Sequence, residues 1–250
     1  MRFTQLLLLV LGALVHTGAT AAMKVADLKD REAVIEYASQ TGDWRYLTRM
    51  SMLLADEKAR GDAAPLPHYY AALAAYRAAE LDEDVELRVG VLLDRCIDQT
   101  KAALKLRPQW SEALALAGAC HGLAAQRQPL SALIAGNFAA RELKQALVIN
   151  PENPRAKMLQ AVTWLRRFED PDRIELARQM LVEAVAGFET FPNPTMAGGP
   201  TWGEEHAHYW LAYIARLQRD KTLARDHLEQ ALLIAPDMKL ARVSLAEVGR

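Results

Sequence analysis

The chain has 250 residues, 51% of them hydrophobic, and its formal net charge is -1 at pH 7. This length suits one large domain or one repeat array, and the balanced charge argues against a protein that binds nucleic acid or an anionic membrane. Ala and Leu dominate the hydrophobic residues, and both lose little side-chain freedom in a helix. The composition therefore predicts an all-α protein.

The N-terminus has the pattern of a secretory signal peptide. Arg2 precedes an apolar run at residues 6–15 and small residues at 19–21. A run of this length is too short to span a bilayer, and small residues mark a cleavage site. We predict that residues 1–21 are removed, leaving a bacterial protein that is periplasmic or secreted and has no stable membrane insertion. An uncleaved N-terminal anchor is the alternative.

Amphipathic patterns, proline stops and capping residues divide the remaining chain into eleven predicted helices. They are expected at residues 27–41, 43–60, 67–81, 83–107, 110–126, 130–149, 153–168, 171–189, 202–218, 220–235 and from 238 onward. Thr201 and Glu204 have the spacing of a capping box, which would start the ninth helix. Because most connections are short, consecutive helices should pack antiparallel.

An internal repeat accompanies these helices. Prolines at 65, 108, 151, 192 and 236 mark five units of 41–44 residues. Small residues and a leucine precede two of these prolines in the same register, at Ala139, Leu143 and Ala146 and again at Ala224, Leu228 and Ala231. In these residues the chain resembles the tetratricopeptide repeat (TPR) family, although that family's unit has 34 residues.

The resemblance implies a right-handed α-solenoid of about five TPR-like helix hairpins plus a C-terminal capping helix. Residues 22–82 would form divergent N-terminal repeats, and residues 83–250 the TPR-like array. Cys96 and Cys120 lie on consecutive predicted helices. An exported protein can join them in a disulfide, whereas two separate buried thiols are the alternative.

In the TPR family, the first helix of each hairpin lines a concave groove. Carrying these positions over gives Glu112, Arg155, Met158, Val162 and Arg166 as candidate partner-binding residues. Since arginine binds carboxylates in a bidentate manner, the main hypothesis is a scaffold or adaptor that holds a protein or peptide there. The alternative is that the arginines are solvated and that the apolar residues pack between repeats.

A second candidate site follows the longest predicted loop, at residues 191–200. Trp202, His206, Tyr209 and Tyr213 recur at three- and four-residue steps and share one helix face. They predict either a small-ligand pocket, as in an accessory protein of a solute transporter, or a stretch of core.

No signal for catalysis, a cofactor or a metal is found. The chain lacks the P-loop, the Rossmann glycine pattern, HExxH and the nucleophile elbow. His206 and His208 are two residues apart on a predicted helix, so they point in different directions and cannot share one ion. We therefore expect a binding protein, not an enzyme, with no cofactor or metal. Composition does not distinguish a monomer from a homo-oligomer.

Overall fold

The computed structural model describes residues 28–57, 60–61, 64–81, 86–167, 170–190 and 199–249. The predicted signal peptide at residues 1–21 lies outside this part of the chain, as does most of the predicted loop at 191–200.

The prediction of an all-α protein is confirmed for the described residues, which contain eleven α-helices and no strand. The helices are α1 Leu28–Thr41, α2 Trp44–Ala55, α3 Leu66–Leu81, α4 Glu86–Leu106, α5 Ser111–Arg127, α6 Ala132–Ile149, α7 Pro154–Arg167, α8 Pro171–Thr190, α9 Glu204–Leu217, α10 Lys221–Ile234 and α11 Lys239–Val248. Most boundaries fall within two residues of the predicted ones. None of these helices is both long and apolar enough to cross a membrane.

Local side-chain chemistry sets several helix starts. The carboxylate of Asp43 accepts the backbone N–H of Tyr46 at 2.9 Å, and Asp220 caps α10 in the same way. The capping box predicted at Thr201 and Glu204 is wrong. α9 begins at Glu204 after a glycine N-cap, Gly203, with a φ of 121°, and the backbone N–H and hydroxyl of Thr201 are donated to Glu32 instead. The hydrogen bonds of Thr201 to Glu32, which is distant in sequence, therefore replace the expected local capping interaction with Glu204.

Consecutive helices pack closely through small residues. A Cβ atom at Gly118 would lie 2.6 Å from Cγ of Leu143 and 3.2 Å from the carbonyl oxygen of Ala139, so only glycine allows α5 and α6 to cross there without a shift. Ala139, Leu143 and Ala146 are buried in this contact. α4 is joined to α5 by a disulfide between Cys96 and Cys120, whose Cα atoms are 6.1 Å apart.

Helix α3 is the centre of the molecule. Nearly every residue from Leu66 to Ala79 is buried, including three tyrosines and Arg77. A helix that is apolar on all sides requires neighbours on all sides, and α3 packs against α1, α2, α4 and α5. α1 also contacts α11 near the other end of the described chain. These four neighbouring helices therefore surround α3 and bury its apolar surface.

Candidate functional site

Residues 199–203 pack against α1 and α3 just before α9, with Thr201 exposed and the other four residues buried. Glu32 accepts the Thr201 backbone N–H at 2.9 Å, and the indole N–H of Trp202 is donated to the Tyr69 hydroxyl at 3.1 Å. Trp202 is 4% exposed, with the guanidinium of Arg77 4.8 Å from the centre of its ring. Of the two interpretations of Trp202, the structure shows the core position.

Arg155 and Glu112, two of the predicted partner-binding residues, bind each other. The Nε and Nη2 atoms of Arg155 donate to the two carboxylate oxygens of Glu112 at 2.8 and 2.7 Å, and its Nη1 donates to the Trp202 carbonyl at 3.3 Å. Met158 and Val162 are buried beside them in the core. A carboxylate from a partner would have to displace Glu112 to reach Arg155.

Arg166 belongs to a second set of buried charges, which we call the central cluster and define as Glu36, Arg77, Glu80, Arg166, Glu205 and His206. Arg77 donates to both oxygens of Glu36 at 3.2 and 3.1 Å and to Glu80 at 3.0 Å. Arg166 donates to the other oxygen of Glu80 at 2.5 Å and to the Tyr76 hydroxyl at 3.0 Å. The cluster joins α1, α3, α7 and α9, which lie far apart in sequence.

The charges of the central cluster compensate one another. Burial raises the pKa of Glu80, but Arg166 and Arg77 outweigh it and lower that pKa to about 2. Burial is likewise outweighed at Glu205, where His206 lowers the pKa to about 2. At Glu36 burial dominates, and its pKa is raised despite Arg77. The cluster therefore contains carboxylates in two different electrostatic environments.

Three cluster members have the chemistry of metal ligands. One donor atom each of Glu36, Glu205 and His206 lies within 4.8 Å of the other two. Nη2 of Arg77 is 3.1 Å from Glu36 and 3.4 Å from Nδ1 of His206, so a guanidinium occupies the position that a cation would take. The arrangement favours an internal ion pair over a metal ion. His208 points elsewhere, with its Nδ1 atom 3.1 Å from that of His227 on α10.

A cleft of about 200 Å³ opens at one side of the central cluster. We call it the aromatic cleft; it is lined by Ser39, Gln40, Glu80, Leu81, Arg166, His206, Tyr209, Trp210, Met238 and Leu240. The predicted pocket residues His206 and Tyr209 thus lie at one site, and Trp210 joins them. Tyr213 does not line the cleft but packs edge-on against Trp210, with ring centres 5.4 Å apart.

Hydrogen-bonding groups remain available in the aromatic cleft. Both oxygens of Glu80 are occupied by arginines, whereas Arg166 uses only two of its five N–H donors in the hydrogen bonds described above. Within the described part of the chain, the side chains of Gln40, Tyr209 and Trp210 make no hydrogen bond. Polar groups without partners beside aromatic rings are typical of small-molecule sites.

A second cavity, of about 230 Å³, is also lined by Arg166. We call it the small-residue cavity; it is lined by Gly122, Ala125, Gln126, Gly136, Thr163 and Arg166. α5, α6 and α7 form its walls, and two of its residues have no side chain. Arg166 is the residue that the two cavities share.

The contribution of α3, which supplies Tyr76, Arg77 and Glu80, was not predicted from the sequence. The sequence signal that could have indicated it is the charged pair Arg77 and Glu80, three residues apart in a helix otherwise rich in alanine. The chain matches no known protein family and no curated protein. The site must therefore be interpreted from its own geometry.

Proposed function

We propose that this protein binds a small organic ligand in the aromatic cleft and acts as a binding protein, not an enzyme. The observation that carries the proposal is that unused hydrogen-bonding groups on Arg166, Gln40 and Trp210 line one cleft together with the edge-to-face pair Tyr209 and Trp210. Clefts of this kind gain affinity from apolar contact and orientation from a few polar groups.

We further propose an exported protein built as a right-handed array of about five TPR-like helix pairs, with α11 as its C-terminal cap. Short connections between consecutive packed helices support the array. The disulfide between Cys96 and Cys120 supports export, because disulfides persist mainly in oxidising compartments. An accessory role beside a solute transporter is consistent with binding a small ligand.

The adaptor hypothesis is the second candidate, and one observation favours it. Val91, Leu130, Leu133 and Ile134 are exposed around the turn between α5 and α6, and exposed apolar patches often mark protein-binding surfaces. This surface is distinct from the predicted groove, where Arg155 already has an internal partner. We therefore place the small-ligand function first.

The test is a calorimetric screen of the mature protein with small acids, amines, sugars and acylated amino acids. We expect at least one compound to bind, with an affinity that falls about tenfold or more in Trp210→Ala. Trp44→Ala is the matched control, since Trp44 is also half-buried but lies on α2 and does not line the cleft. The proposal fails if no compound binds, or if Trp44→Ala weakens binding as much as Trp210→Ala does.

A further inference from the structure

We propose that the ligand is elongated, extending from the aromatic cleft past Arg166 into the small-residue cavity. Its chemistry would be that of a short peptide or an N-acylated amino acid with an aromatic side chain. This inference rests on the proposed binding function and adds the ligand class and a second subsite.

Arg166 lines both cavities, so a ligand that occupies both would contact it. Its guanidinium is held by Glu80 and Tyr76, with N···O distances of 2.5 and 3.0 Å, so it has a fixed orientation. Three of its five N–H groups are not used in these two hydrogen bonds. A ligand that crosses from one cavity to the other must pass these donors and should offer them an acceptor.

The Glu80 carboxylate decides which hydrogen-bond acceptor the ligand can place beside Arg166. A ligand carboxylate beside Arg166 would also lie close to the ionised Glu80, and the two like charges would repel in a poorly solvated site. An amide carbonyl accepts the same hydrogen bonds and carries no charge. The neighbouring carboxylate therefore favours a neutral amide at the centre of the ligand.

The two ends of the ligand would lie in two cavities with different linings. The aromatic cleft is lined by the rings of Tyr209 and Trp210 and by the apolar side chains of Met238 and Leu240, which suits a flat apolar group. In the small-residue cavity, the Thr163 side chain packs directly against Gly122, so that side is already filled and the remaining space suits a slim chain.

Polar groups in the small-residue cavity fit the backbone of such a chain. The Thr163 hydroxyl donates to the Leu159 carbonyl at 2.8 Å, so its oxygen can still accept an N–H from the ligand. The exposed side-chain amide of Gln126 can both donate and accept. The order of groups along the path, an aromatic body, a carbonyl acceptor and then an N–H donor, is that of a peptide.

The experiment compares two probes by calorimetry on the mature protein. The short probe is N-acetyl-phenylalanine amide, and the long probe is the same compound extended by two glycines. We expect the long probe to bind about tenfold more tightly, because it adds hydrogen bonds in the second cavity. Ala125→Phe, which fills that cavity, should remove this advantage and leave the short probe unchanged.

A second variant tests the same cavity in case Ala125→Phe does not fold. Gln126→Ala removes an exposed side chain and should weaken the long probe about threefold without affecting the short one. Equal affinities of the two probes for the natural sequence would overturn the spanning ligand and leave the aromatic cleft as a binding site. If neither probe binds but another compound does so in a Trp210-dependent way, the peptide class is wrong. If nothing binds, both proposals fall.

Discussion

Replacing Arg155 by methionine should destabilise the protein strongly. The substitution leaves the Glu112 carboxylate buried with no opposite charge, which typically costs about 3–5 kcal/mol. It also removes the hydrogen bond to the Trp202 carbonyl, worth about 1 kcal/mol. Urea unfolding, followed by circular dichroism at pH 7.5 with the disulfide intact, would measure the lost free energy of unfolding from the shift in midpoint.

The double variant Glu112→Leu/Arg155→Met separates these contributions. With both charges removed, only the unsatisfied Trp202 carbonyl remains, so the loss should shrink to about 1–2 kcal/mol. Arg178→Met is the matched control. Arg178 also makes a bidentate contact with a glutamate, but both partners are exposed, and the urea midpoint should not change measurably.

One result would refute this reasoning. If Arg155→Met unfolds at the same urea concentration as the natural sequence, Arg155 is not engaged as the structure describes it. The arginine would then be free for a partner, and the groove predicted from the sequence would regain its support. A double variant less stable than Arg155→Met would refute the ion-pair argument in a different way, because it would show that Glu112 does not need a buried positive charge.

Two further predictions concern pH and redox state. Burial, together with His227, lowers the pKa of His208 to about 4. The unfolded chain therefore binds the proton first, and stability should fall by about 1–2 kcal/mol as pH drops from 6.5 to 4, after allowance for solvent screening. The urea midpoint of His208→Gln should fall less over this range, and an equal fall would contradict the assignment. Reducing Cys96–Cys120, which are 24 residues apart in sequence, should cost about 3 kcal/mol. Unfolding with and without reductant measures this, and Cys96→Ala/Cys120→Ala should show no dependence on reductant.

The helices could be predicted because the signals that start and stop them are local. A proline such as Pro151 ends a helix through its own ring, and Asp220 caps one through a backbone N–H three residues away. The contact of Ala139 with α5 followed from the same short-range pattern. Such signals need only the sequence within one or two turns.

The candidate site was predicted only in part, because its pairs join distant segments. Glu112 lies 43 residues before Arg155, and Glu80 lies 86 residues before Arg166. The resemblance to the TPR family singled out both arginines of α7 but could not show that carboxylates of the same chain would reach them. His206 and Tyr209 were recognised because they share one helix face, whereas the opposite wall of the cleft comes from α1, α3, α7 and α11.

The burial of α3 has a consequence for how this protein can vary. In an open solenoid, each repeat touches only its neighbours, so an end repeat can be lost or duplicated with a local effect. Here α3 packs against α1, α2, α4 and α5, its side chains also hydrogen-bond to α7 and α9, and α1 contacts α11. Removing α1 and α2 would expose the apolar surface of α3, whereas removing α10 and α11 would expose the separate core that they form with the end of α9. A change at the N-terminal hairpin should therefore disturb the centre of the molecule, whereas a change at α10 and α11 should have a more local effect.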